Sequence, residues 1–112
     1  MTVVAKALLE AKYAESSQTT QVTSPTGVRT IVDKFTATNV TASAATLAVN
    51  IVESGGAASA ANLILDGKTL AAHETYTCPE LAGQILNAGD FVSTIAGTAT
   101  AIVIRASGRE VS

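Results

Sequence analysis

Between Leu70 and Phe91 the chain writes one short phrase twice, sixteen residues apart: Leu70-Ala71-Ala72-His73-Glu74-Thr75, then Leu86-Asn87-Ala88-Gly89-Asp90-Phe91. Each copy closes an apolar run with leucine, passes through small residues, sets a turn-tolerant residue before an acid and resumes in β-forming residues. That is strand, turn, strand, twice over. Aligning the copies puts His73 where the second copy has Gly89. Histidine is among the few residues other than glycine enriched at positive φ, so His73 is predicted to be a left-handed turn residue. Glu74 and Asp90 fall at equivalent points. On one end of the molecule they would form paired carboxylates; the simpler expectation is that each is solvated or bonds a nearby backbone N–H.

The flanking sequence keeps to the same grammar. Val28 to Asn39 is rich in β-branched residues and lacks Gly and Pro, so it reads as a strand with Ile31, Phe35 and Ala37 on one parity. Asp33 shares that parity, which calls for a bulge or an edge position. Thr46 to Glu53 alternates Leu47, Val49 and Ile51 against Ala48 and Asn50, and pairing with the preceding strand as a hairpin is expected. Ser54 to Ala61, SGGAASAA, has no large side chain to anchor it and is expected to be an exposed, mobile loop. Asp66-Gly67 interrupts the next apolar run as either a hairpin turn or a bulge. Thr75 to Cys78 reads as a short strand ended by Pro79, and Leu81 and Ile85 stand four apart, as in one helical turn over the core. Phe91, Ser93 and Ile95 share a face, as do Ile102, Ile104 and Ala106, and Gly97-Thr98 suits a hairpin turn between them.

About seven or eight short strands with regular turn signals imply a single all-β, antiparallel β-sandwich, jelly-roll-like or alternatively immunoglobulin-like, with one short helical turn near 80–86. Residues 1–23 are read as an N-terminal arm or edge strand and 24–112 as the sandwich domain. At 112 residues one core is expected, and with two Phe, two Tyr and no Trp it should be thin.

Charge narrows the function classes. Seven basic residues against nine acidic ones are scattered, which argues against a phosphate-tracking nucleic-acid face. Lys6, Glu10 and Lys12 interrupt the first apolar run, so neither a membrane span nor a secretion signal is expected. The single cysteine cannot close an internal disulfide, and synthesis in a reducing cytoplasm is the simplest expectation.

No residue is assigned a catalytic, cofactor-binding or metal-binding role. His73-Glu74 fails the zinc-protease pattern because position 77 is Thr, and one His with one Cys is too few for the usual zinc ligands. Gly67-Lys68-Thr69 lacks the earlier glycine of a phosphate loop. Cys78, held extended before Pro79, is expected to be a buried apolar thiol.

TIVDKFTATN at 30–39, HETYTCPELAGQILNAGD at 73–90 and IRASGRE at 104–110, with the Ala- and Thr-rich filling between them, resemble small virion proteins of tailed bacteriophages. The resemblance implies a non-enzymatic structural protein, made in the host cytoplasm and present in several copies on the virion. It would be a homo-oligomer, dimer or trimer, and decorate or cement the shell by binding the major capsid protein; the alternative is an accessory protein of the neck, collar or tail fibre, binding neck or tail proteins. The N-terminal segment up to about Thr23, or the Ser54 to Ala61 loop, would make the contacts. A receptor- or carbohydrate-binding β-sandwich module is the competing class, and would need Tyr13, Phe35, Tyr76 and Phe91 to form a concave platform.

Overall fold

The computed structural model describes all residues, Met1–Ser112. The strands are β1 (Val3–Tyr13), β2 (Thr19–Thr23), β3 (Arg29–Asn39), β4 (Ala45–Val52), β5 (Leu63–Leu70), β6 (Thr75–Tyr76), β7 (Gln84–Leu86), β8 (Phe91–Ala96) and β9 (Ile102–Val111). One sheet, A, runs β1-β9-β3-β6, with β7 also on β3; the other, B, runs β2-β8-β4-β5. All recorded pairings are antiparallel. Because β6 and β7 both pair with β3, they are two halves of one interrupted strand, which leaves eight strand positions. Successive positions alternate between the sheets except at β4–β5, the jelly-roll order. An immunoglobulin-like sandwich would keep its first two strands in one sheet. Here they lie in different sheets.

This alternation corrects two expected hairpins. β3 and β4 do not pair, and neither do β8 and β9, because each of those connections crosses from one sheet to the other. Asn39 fixes the first crossing: its side-chain N–H₂ donates to the Ser43 and Leu70 carbonyls, and its Oδ1 accepts from the Thr41 N–H and hydroxyl. A fully buried amide with its donors and acceptors all occupied holds the turn in one geometry.

The core between the sheets is built from Leu, Val, Ile and Ala, with Phe35 its one fully buried aromatic. Val32, Phe35 and Ala37 point inward from β3, and the parity changes at Asp33 because the register slips between Val32 and Lys34. Asp33 is thus in a bulge, and Ile31 faces outward, not inward with Phe35. Gly108 of β9 lies opposite: a Cβ there would overlap the Ile31 carbonyl and press on Leu8. β1 also slips between Ala7 and Leu9, so both neighbours of β9 bulge beside this one glycine. Asp66-Gly67 is also a bulge, inside β5, with Gly67 at φ 56°. From β8 it is Val92, Thr94 and Ala96 that are buried with the core-facing residues of β4; on the other side Phe91 and Ile95 are only half-buried, and Ser93 between them is buried by its bonds to Gln18 and Thr19.

The helical turn expected near 80–86 is absent. Leu81 N–H donates to the Cys78 carbonyl and Gln84 N–H to that of Leu81, after which the chain is already extended as β7. Gly83, at φ 83°, donates its N–H to Val32 and so returns the chain to the ladder. Leu81 is buried as the spacing suggested, but Ile85 is 56% exposed because it pairs with Ile31 on the outer face. The sole helical element is a 3-10 turn, Ala60–Asn62, in the loop expected to lack an anchor. Two asparagines anchor it. Asn50 donates to the Ser59 carbonyl and to Asn62 Oδ1, and Asn62 donates in turn to the Ala57 carbonyl.

Candidate functional site

The doubled phrase forms two turns with the same hydrogen bonds. Glu74 N–H donates to the Ala71 carbonyl while Glu74 Oε1 accepts from Ala71 N–H at 2.7 Å. Asp90 N–H donates to the Asn87 carbonyl while Asp90 Oδ2 accepts from Asn87 N–H at 3.0 Å. His73 has φ 59° and Gly89 φ 86°, so the histidine is a left-handed turn residue, as its alignment with glycine predicted. The acids therefore close turns, which is the simpler of the two expectations. They do not form a carboxylate pair. Thr75 pairs with Thr38 and Leu86 with Thr30, so the turns lie at opposite ends of β3, about 26 Å apart at the rise of an extended strand.

Cys78 is completely buried, and burial pushes its thiol up to about 12. Its backbone is not extended as the following proline suggested: φ is 44°, which turns the side chain into the core where β6 breaks off after Tyr76. Nearby, the Tyr76 hydroxyl donates to both carboxylate oxygens of Glu80 at 2.6 and 2.7 Å, and Lys68 Nζ stands 5.0 Å from the Tyr76 ring centre. The Glu80 carboxylate pushes the phenol up to about 12, and the phenol holds the carboxyl below its usual range. The four aromatics do not form a platform. Phe35 is in the core, Tyr76 packs against it, Tyr13 lies beside Val103 on the outer face of sheet A, and Phe91 pairs with Val52 on sheet B.

What the fold does expose is a strand edge. Each sheet has two, and an unpaired edge invites another strand unless it is short, bulged, charged or broken. β2 has five residues and slips at Gln21. β5 carries Asp66, Lys68 and the Gly67 bulge. The β6/β7 edge is interrupted by Cys78-Pro79 and the turns after it. β1 is different in its first half: Val3 to Ala7 pair with Val111 to Ser107 without a slip, and the bulges begin only beyond Ala7. Val3 and Val4 are 51% and 49% exposed.

The outer face of sheet A beside this edge is apolar and studded with arginine. Directly paired residues share a face, so Ala5, Arg109, Ile31 and Ile85 form one cross-strand row, and Val3, Val111 and Arg29 the next. Arg109 is held flat by a two-pronged bond to Asp33, at 2.9 and 3.0 Å, which keeps the Asp33 carboxyl below its usual range. The exposed aliphatic side chains Val3 and Ile85 are thus interleaved on this face with Arg29 and Arg109. The sequence points to contacts in the segment up to about Thr23 or in the Ser54 to Ala61 loop and not to this face, because it puts Ile31 on the parity of Phe35 and Ile85 over the core with Leu81; the one signal is the parity conflict at Asp33.

Fold and surface together define an antiparallel jelly-roll with one open edge. The architecture is shared with a chain in the structure of infectious bursal disease virus, Gx strain, with a TM-score of 0.54 and 10% sequence identity over 97% of this chain. This chain spans about a third of that viral chain, 32%. No protein-family model matches the sequence, and no curated protein matches it.

Proposed function

We propose that this chain is a non-enzymatic structural protein of a virion, and specifically a capsid decoration or cement protein of a tailed bacteriophage that binds the assembled major capsid protein. The observation that carries this reading is the jelly-roll order, an architecture used by viral capsid domains and common to the viral chain above. The sequence resemblance to phage virion proteins supports the phage assignment. The outer face of sheet A around Ile31, Ile85 and Val111 is the surface it would lay on the shell, and the β1 edge is where it would meet a neighbour. Binding to the assembled lattice in preference to free subunits would stabilise the particle by mass action.

A reconstruction of particles carrying the protein tests this directly. Shell decoration predicts copies on the order of hundreds, following the icosahedral lattice, whereas about a dozen or fewer at one vertex would replace it with the neck, collar or tail reading. Ile85→Asp should abolish particle binding while leaving the fold intact, since Ile85 lies outside the core.

A further inference from the structure

The open half of β1 has a specific hydrogen-bonding pattern. Thr2 N–H donates to the Ser112 carbonyl at 2.8 Å and Ser112 N–H to that of Thr2 at 2.9 Å, so these residues form a mutually bonded pair. In an antiparallel ladder bonded and non-bonded pairs alternate. With the register unbroken from Val3 to Ala7, Val4 and Lys6 turn their backbone groups toward β9, and Val3, Ala5 and Ala7 turn theirs to solvent. The free edge therefore offers a symmetric triplet of N–H and C=O groups centred on Ala5.

We infer that two copies of this chain pair through these edges, β1 antiparallel to β1 about a two-fold axis at Ala5, joining their A sheets into one continuous sheet. Ala5 faces Ala5 of the second copy, and Val3 of each faces Ala7 of the other, which closes about six backbone hydrogen bonds. Electrostatics select this register. Lys6 falls opposite Val4 of the second copy, and Val4 itself pairs with Glu110, the residue that Lys6 of its own chain already holds at 3.1 Å. Each Glu110 is then flanked by lysines from both copies, so the seam carries two charges of each sign with none directly opposed. Centring the axis on Lys6 would set lysine against lysine. Centring it on Val4 would leave Ala7 without a partner inside the strand. On the outer face the Ala5 rows of the two copies meet end to end, while each Val3 row runs into Ala7 and Ser107 of the other copy.

This goes beyond the virion reading and does not depend on it: self-pairing is tested with the protein alone, whatever the particle experiment returns. Because a single strand pair is a small interface, a concentration-dependent dimer is expected. Sedimentation of the purified protein should show the mass doubling as concentration rises. Ala5→Pro removes an N–H that faces solvent in the monomer, a place where an edge strand tolerates proline, and should leave a folded monomer at every concentration. As a second probe, Ala5→Cys should form a disulfide-linked dimer on mild oxidation, since paired Cα atoms in a bonded pair are about 5.5 Å apart. Ala11→Cys should not, since the axis at Ala5 puts its two copies about 40 Å apart. The inference is overturned by a wild-type chain that stays monomeric, by a trimer, by an Ala5→Pro variant that still dimerises, or by cross-linking at Ala11 in place of Ala5.

Discussion

The two edges of sheet A follow opposite strategies. The β6/β7 edge is broken in the middle, with Pro79 in the gap, Cys78 and Leu81 pulled into the core, and Tyr76, Glu80 and Lys68 gathered over the outside. The β1 edge is continuous from Val3 to Ala7 and has only Lys6 to discourage a partner. A sheet guarded on one side and open on the other grows in one direction. The two-fold pairing proposed above would use up that open side and so would not extend into a fibre.

The strongest way to break this contrast is at Gly108, where the bulges of β1 and β3 meet. Gly108→Ala would drive a methyl group into the Ile31 carbonyl, which flexible side chains cannot relieve, and should cost about 3 kcal/mol in a denaturant melt. A cost under ~1 kcal/mol would mean that the bulges of β1 and β3 do not converge on Gly108. Next comes the plug of the guarded edge: Leu81→Ala leaves a cavity beneath the β6/β7 gap and should cost about 3 kcal/mol, with faster hydrogen exchange at Gly83 and Gln84.

A paired proline experiment sharpens the contrast on the open side. Val4→Pro should be the more destabilising of two neighbouring substitutions by about 1 kcal/mol, because it removes a bond to β9 that Ala5→Pro leaves alone. Equal melting temperatures would mean that Val4 does not turn its N–H toward β9. The smallest effect is expected at Tyr76→Phe. Without the phenol donor the Glu80 carboxyl should titrate higher, back toward its ordinary range, in an NMR titration. The sign of the linkage is fixed. Stability from the lowered Glu80 group is present above its unfolded pKa and is lost as the pH falls through the folded value. Stability from the raised Tyr76 group is present below about 10 and is lost as the pH rises toward 12. Both groups are at the surface, so the change in global stability should be slight.

The sequence carried the local conformations well. Aligning His73 with Gly89 was enough to place a histidine at positive φ, because the two turns use the same backbone bonds and need the same left-handed residue. The buried positions Ile102, Ile104 and Ala106 follow from their period of two, and Asp33 announced its bulge by breaking that period. Some misreadings were local, as at Cys78, which is at φ 44° and not extended before Pro79; others came where the chain had to choose between neighbours. Val28 to Asn39 followed by Thr46 to Glu53 looks like a hairpin, yet the Thr41 to Ala44 segment carries the chain across to the other sheet. Leu81 and Ile85 looked like one face of a helix, yet Gly83 turns the chain so that one is buried and the other points to solvent.

Alternation and turn chemistry act between residues a few positions apart, so the sequence by itself determined an all-β chain, its two matched turns and much of its core. Strand order depends on which sheet offers the better partner across tens of residues, and no local pattern encodes that choice. Only the tertiary structure decided that consecutive strands cross between sheets, that Ile31 and Ile85 face outward together, and that one of four edges is left open. An edge is defined by the neighbour it lacks, which is a property of the assembled sheet and not of any strand within it.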